Sequence, residues 1–201
     1  MSSNSRQIPF LSVINKDFPH NAIVTMCGLP ATCKTWAASL IAQLHGLIHL
    51  RTDIIRKQVL AGQNIFDEKT AADIEKREMV YDLMFQKGEE IASTGKGLIL
   101  DATFIKQSLR QRAARMAHKY KMPLVLIHTD CPAKVALERI SRRTPENYES
   151  NAITEQAYYN NLRAFEPIDI GSLYNEFPGL EMRYLHVDTS EQDPAQWRIL
   201  D

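Results

Sequence analysis

Eight residues, Gly28-Leu29-Pro30-Ala31-Thr32-Cys33-Lys34-Thr35, constrain this chain more than any other stretch. They follow the apolar run 22–26 directly. They precede residues 36–45, whose apolar members recur at helical spacing up to Gly46, a residue type that ends helices. A buried strand, a glycine-opened loop and a helix, in that order, make a phosphate-binding device. Successive N–H groups at the mouth of the helix surround the phosphate oxygens, a lysine reaches the outer phosphates, and the next hydroxyl holds Mg²⁺. Gly28 opens the loop, Leu29, Pro30, Ala31, Thr32 and Cys33 carry it, and Lys34 and Thr35 stand in register for the last two tasks. Cys33 occupies the position where the pattern G-x-x-x-x-G-K-T has its second glycine. Three readings of Cys33 stay open. The loop tolerates the Cβ, or the thiol makes nucleotide binding redox-sensitive, or the loop binds nucleotide poorly. A plain strand-to-helix turn that happens to contain Lys-Thr is the alternative without chemistry.

A chain of 201 residues suits one α/β domain with a sizeable core. Lys plus Arg and Asp plus Glu both number 24, so the net charge is zero and nothing draws the whole molecule to nucleic acid or anionic membrane. A local basic patch remains compatible with that balance. Cys27, Cys33 and Cys131 form neither a disulfide framework nor a zinc-site spacing. The polar N-terminus lacks a signal-peptide pattern, and no apolar run reaches membrane-spanning length, so a cytoplasmic location is expected.

Residues 1–20 read as a loose leader, with Phe10, Leu11 and Val13 able to pack back on the domain. Residues 21–201 read as a single domain in which strands and helices alternate. Strands are expected at 47–50, 97–101, 123–128 and 182–187. Helices are expected at 53–61 (ended by Gly62), 68–93, 107–121, 132–143 and 154–165. A polar loop is expected at 144–152 and a terminal helical turn at 194–200. Alternation of this kind predicts parallel β-α units.

Strand ends carry the remaining candidates. Asp53 begins the helix after the second strand, where the carboxyl ends of an open α/β sheet line a ligand crevice. A carboxylate there can accept a proton from an attacking hydroxyl, and Arg56, one turn on, can meet a phosphate. Asp53 is equally a common helix cap and Arg56 a common surface residue. Asp101 ends an apolar strand and can reach Mg²⁺ or orient substrate, with Thr103 beside it. Arg139, Arg142 and Arg143 end a helix before a polar loop; they can clamp phosphate oxygens or simply complement the helix dipole. His45, His118 and His128 show no partner pattern. Trp36, Tyr81 and Phe85 read as core or groove. The charge run 110–121 reads as a solvated helix face, with Arg112 and Arg115 the less settled members.

The segments GLPATCKT, RTDIIRKQVLAG, LILDATF and ALERISRR, in that order, resemble the P-loop small kinases. That group includes zeta-toxin-like kinases, 5′-polynucleotide kinases and gluconate or shikimate kinases, together with AAA-type ATP-binding kinase-like domains. The resemblance covers roughly residues 21–187. It implies a three-layer α/β/α sandwich around a mostly parallel five-stranded sheet in the order 2-3-1-4-5, with a helical lid near 139–165. It also implies an ATP-dependent kinase that uses Mg²⁺ and transfers the γ-phosphate to a hydroxyl of a small molecule or nucleotide. A 5′-OH nucleic-acid end is the less favoured acceptor. By the same likeness Asp53 is the general base, Arg56 a phosphate contact, Asp101 the acidic end of the third motif, and Arg139 and Arg143 the lid arginines. Substrate contacts fall to Asp53, Arg56, Asp101 and Thr103, and the metal to Thr35 and Asp101. The match departs at Ala31 and Cys33, both usually glycine in these relatives. A non-catalytic nucleotide-binding domain with a degenerate loop is the alternative.

Overall fold

Ile23–Cys27 is buried at every residue, as befits a strand covered on both faces, and it is the middle one of the five parallel strands of the sheet. The computed structural model describes residues 8–16, 18–61, 73–144 and 153–200. Its strands are β1 (Ile8–Pro9), β2 (Ile23–Cys27), β3 (Ile48–Arg51), β4 (Leu98–Asp101), β5 (Leu124–Asp130), β6 (Met182–Asp188) and β7 (Arg198–Leu200). Its helices are α1 (Phe10–Lys16), α2 (Lys34–His45), α3 (Thr52–Val59), α4 (Ile74–Ala92), α5 (Gln107–Tyr120), α6 (Ala133–Ser141), α7 (Glu155–Ala164) and α8 (Ile170–Glu176). The expected helix over 68–93 is described from Ile74 onward. Residues 62–72, with Gly62, and residues 145–152 lie outside the described residues.

One sheet runs β1-β7-β6-β5-β2-β4-β3. Neighbours from β6 through β3 are parallel, whereas β7 pairs antiparallel with β6, and β1 with β7. The sheet therefore has seven strands rather than the five expected. Both additions come from chain ends read as a leader and a helical turn. Phe10 and Ile14 of α1 are fully buried, and the Phe10 N–H donates to the Trp197 carbonyl at 3.0 Å. A helical turn does form at Pro194–Gln196, but it gives way to β7.

Apolar residues of the two sheet faces feed two cores. One joins α1 and α2 to the sheet through Phe10, Ala37, Ala38, Ile41 and Trp197. The other joins α4, α5 and α8 through Val80, Met84, Ala113, Ala117 and Leu173. A third, smaller cluster packs α6 and α7 on the loop after β2 through Ala31, Ala136, Ile140 and Tyr158. Among the described residues, no helix is long and apolar enough to cross a membrane.

The run 110–121 is not uniformly a solvated face, because Arg110 is wholly buried. Its guanidinium donates to the carbonyls of Phe104, Ile105, Glu166 and Pro167 and to Gln107 Oε1, at 2.9–3.2 Å. Five acceptors around one fork make burial of that charge tolerable. Arg110 thereby pins the segment before α8 to the loop after β4.

Candidate active site

Gly28 leaves β2 with φ +138°, and a Cβ built on it would lie 2.3 Å from the Thr129 carbonyl oxygen, so only glycine fits. The loop then reverses through two further left-handed residues, Ala31 at φ 65° and Cys33 at φ 58°. These are the two positions at which the resemblance leads to an expected glycine, and the backbone keeps the glycine-like conformation in spite of the side chains. Such residues cost about 1–2 kcal/mol each and persist only where the surroundings over-determine them. The surroundings here do so. The Thr32 hydroxyl donates to the Leu29 carbonyl at 2.9 Å and meets the Thr129 hydroxyl at 2.8 Å. The Thr189 hydroxyl donates to the Thr32 carbonyl at 3.2 Å. Arg139 donates to the Ala31 carbonyl at 3.2 Å, and the Gly28 N–H to the Thr103 carbonyl at 3.2 Å. Cys33 caps α2 without a side-chain cap bond, and Ala37 makes the first intrahelical bond back to the Cys33 carbonyl. The N–H groups of Lys34, Thr35 and Trp36 thus have no partner within the helix, as anion binding at a helix mouth requires.

Lys34 Nζ folds over the loop and donates to the Leu29 carbonyl at 2.6 Å. Burial lowers its pKa to about 8; the nearby Asp101 carboxylate opposes that shift and the Arg143 guanidinium adds to it. Asp53 is close enough to act on the same amine. Asp101, only 4% exposed, ends β4 between Met26 and Arg51 of the neighbouring strands. His49 Nε2 lies 3.1 Å and Arg51 Nε 3.9 Å from its Oδ2, and the Thr52 hydroxyl donates to its carbonyl. Asp53 does not cap its helix; Arg51 is the cap residue, and Asp53 sits in the first turn with Arg56 one turn behind it.

These groups open on one cavity of about 1460 Å³. Of the residues singled out in the sequence, Pro30, Ala31, Cys33, Lys34, Thr35, Asp53, Arg56, Asp101, Thr103, Arg139, Arg142 and Arg143 line it. Gly28, Leu29 and Thr32 stand behind, within the loop's own hydrogen bonds. Arg139 has a second engagement. Its guanidinium donates to the carbonyls of Thr189, Ser190 and Glu191 at 2.7–3.2 Å, which ties the loop to the segment after β6.

The opposite wall was foreseen only at Tyr81, read as core or groove. Arg77, Glu78, Tyr81 and Asp82 of α4, Lys106 and Ser108 at the start of α5, Arg112, and Asn161 of α7 all face the cavity. Arg77 donates to Asn161 Oδ1 at 3.4 Å, and Arg112 pairs with Asp82 while lying over the Phe85 ring. The Tyr81 hydroxyl accepts the Phe104 N–H at 3.1 Å, and burial raises its pKa. Basic residues outnumber acidic ones around the cavity, although the whole chain is neutral.

Thr35 and Asp101 offer hard oxygen donors beside the loop, the set that suits Mg²⁺. No cluster of three or more His, Cys, Asp or Glu side chains able to hold a metal occurs among the described residues. A Mg²⁺ shared with substrate phosphates needs no such cage.

A family model described as an AAA domain (AAA_33) matches residues 23–168. None of the curated proteins matches the sequence at a significant level. Solved structures of the same fold include a protein from Chloroflexus aurantiacus provisionally named a kinase, with TM-score 0.64, 19% identity, and coverage of 86% of this chain and 92% of that one. A sugar kinase from Janibacter shows TM-score 0.56 and 18% identity, covering 89% of this chain and 90% of that one. A gluconokinase from Sinorhizobium meliloti shows TM-score 0.53 and 16% identity, covering 89% and 88%. The chain belongs to the AAA domain family.

Proposed function

We propose that this protein is an ATP-dependent kinase that moves the γ-phosphoryl group to a hydroxyl of a small molecule or nucleotide. The observation that carries this reading is the convergence of Lys34, Thr35, Asp53, Arg56, Asp101 and Arg143 on one cavity. The loop N–H groups and Lys34 hold the β- and γ-phosphates. Thr35 and Asp101 would hold Mg²⁺, which when bound neutralises charge on the β- and γ-oxygens. Asp53 takes the proton from the acceptor hydroxyl. The acceptor oxygen bonds to the γ-phosphorus as the bond to the β–γ bridging oxygen breaks, and ADP leaves with the electron pair. Arg56 and Arg143 stabilise the charge spread over the transferring group. The described parts of the expected lid, residues 139–144 and 153–165, border the site, with Arg139 holding the phosphate loop to the segment after β6. The wall of α4, α5 and α7 takes the acceptor. A nucleic-acid 5′-OH end remains the less favoured acceptor, given the neutral chain.

A non-catalytic nucleotide-binding domain is the second reading, and the strained Ala31 and Cys33 are the observation that favours it. Transfer assays on hydroxylated metabolites, nucleosides and 5′-OH oligonucleotides separate the two. A kinase yields a phosphorylated acceptor and ADP, whereas the second reading gives MgATP binding without transfer to any of them.

A further inference from the structure

Trp36 is 47% exposed in the cavity wall, directly after Thr35 in the first turn of α2. An indole left half open in a cleft, two residues from Lys34 at the mouth of the same helix, is placed to be covered by whatever follows the phosphates. The ring is held rather than loose. It stands edge-on to Trp197, with centroids 5.6 Å apart and planes at 81°. Trp197 is fully buried, its Nε1 donates to the Glu191 carbonyl at 2.9 Å, and its ring lies 5.9 Å from Phe10. Trp197 directly precedes β7, and Phe10 directly follows β1. The two antiparallel strands beyond the parallel sheet therefore set the orientation of Trp36. The segment that receives the Trp197 N–H also brings Gln192 to the cavity, and Arg139 fixes that segment through three carbonyls. Ser39, one turn beyond Trp36, lines the same space.

We infer that Trp36 is a nucleoside platform: its ring packs on the ribose and base of the nucleotide whose phosphates occupy the loop, with Gln192 and Ser39 as the polar groups beside it. The inference rests on the proposed phosphate site. It assigns the selection of a purine nucleotide over bare polyphosphate to a residue outside the phosphate loop. Stacking on an aromatic ring is tolerant of base identity but grows with base area, so adenine and guanine gain more than cytosine or uracil.

The test compares MgATP with magnesium tripolyphosphate, which carries the phosphates and no nucleoside, by calorimetry and tryptophan emission on the full chain. Trp36→Ala is expected to weaken MgATP by about tenfold or more and to leave tripolyphosphate within about threefold. Trp36→Phe keeps a ring and should retain most of the MgATP affinity, which guards against a folding defect in the alanine variant. The chain has two tryptophans. Emission of the wild type should therefore shift with MgATP but not with tripolyphosphate, and the shift should vanish in Trp36→Phe, where Trp197 alone reports. Equal weakening of both ligands, weakening of neither, or an emission shift that survives in Trp36→Phe overturns the inference. Binding of tripolyphosphate by the wild type reports the loop alone. If the wild type binds neither ligand, the phosphate site itself is refuted and the platform falls with it.

Discussion

The two walls of the cavity are built in opposite ways. The phosphate wall is backbone: a loop of six residues, Gly28 to Cys33, between one strand and one helix, held by hydrogen bonds from Thr32, Thr129, Thr189 and Arg139. The facing wall is side chain: Arg77, Tyr81, Lys106, Arg112 and Asn161 reach in from three helices. A backbone cradle serves any ligand with the same phosphates, so its geometry is restrictive and its sequence local. A side-chain wall is altered by single substitutions without disturbing the sheet, which suits it to the proposed acceptor.

The largest expected effect breaks the phosphate wall. Lys34→Met should lower transfer by about a hundredfold or more, as loss of a preorganised charge at the transferring group does. The same change should raise unfolding stability at pH 7 by about 1–2 kcal/mol, since it removes a charge whose burial is unfavourable. The lysine's folded pKa of about 8 lies below its unfolded 10.5, so the unfolded chain holds more protons between those values. Wild-type stability therefore rises as pH climbs from 8 to 10.5, and the advantage of the variant fades across that window. Paired transfer assays and urea titrations at several pH values measure both halves. A variant that keeps its activity would remove Lys34 from the phosphate site.

The next effects sharpen the contrast across the cavity. Arg77→Ala or Arg112→Ala should raise the KM for the acceptor by about tenfold and leave MgATP affinity unchanged. A loss of MgATP affinity instead would place that wall on the nucleotide side. A gentler probe addresses the loop itself. Cys33→Gly should stabilise the fold by about 0.5–1 kcal/mol, because it removes Cβ strain from a residue already left-handed. MgATP affinity should move by no more than about threefold, since the N–H groups are already arranged. A tenfold gain in affinity would show that Cys33 had disabled the loop.

A separate effect, on stability alone, lies away from the cavity, on β5 and β6. His128 stacks on His186 with centroids 4.4 Å apart, and burial, with His186 adding to it, lowers its pKa to about 4. The unfolded chain takes up this proton near pH 6.5 and the folded chain does not. Stability should thus fall between pH 6.5 and 4 by at most about 3 kcal/mol, and His128→Leu should flatten that slope. A slope unchanged in the variant would assign the acid sensitivity elsewhere.

Legibility in the sequence followed the same division. The loop, Asp53 and Asp101 were readable because each sits within a few residues of a strand end, where the fold puts ligands. The facing wall was not, apart from Tyr81 read as core or groove. Its members are scattered from Arg77 to Asn161, and on their own helices they look like ordinary surface charge. Arg110 illustrates the difficulty: it shares a basic helix with Arg112 and Arg115, and only the carbonyls of Glu166 and Pro167, far along the chain, make it a buried tie. β1 and β7 were missed because two- and three-residue strands carry no periodicity of their own. Trp36 was readable as groove, but its support by Trp197 needed the sheet edge.

The measurement that bears most directly on the central claim is transfer of label from γ-³²P-ATP to a panel of hydroxylated acceptors, by wild type and Asp53→Asn at saturating MgATP. A labelled acceptor with the wild type, and a rate about a hundredfold lower with Asp53→Asn, is the predicted result. MgATP that binds but labels no acceptor, or an Asp53→Asn variant that transfers as fast as the wild type, would contradict it.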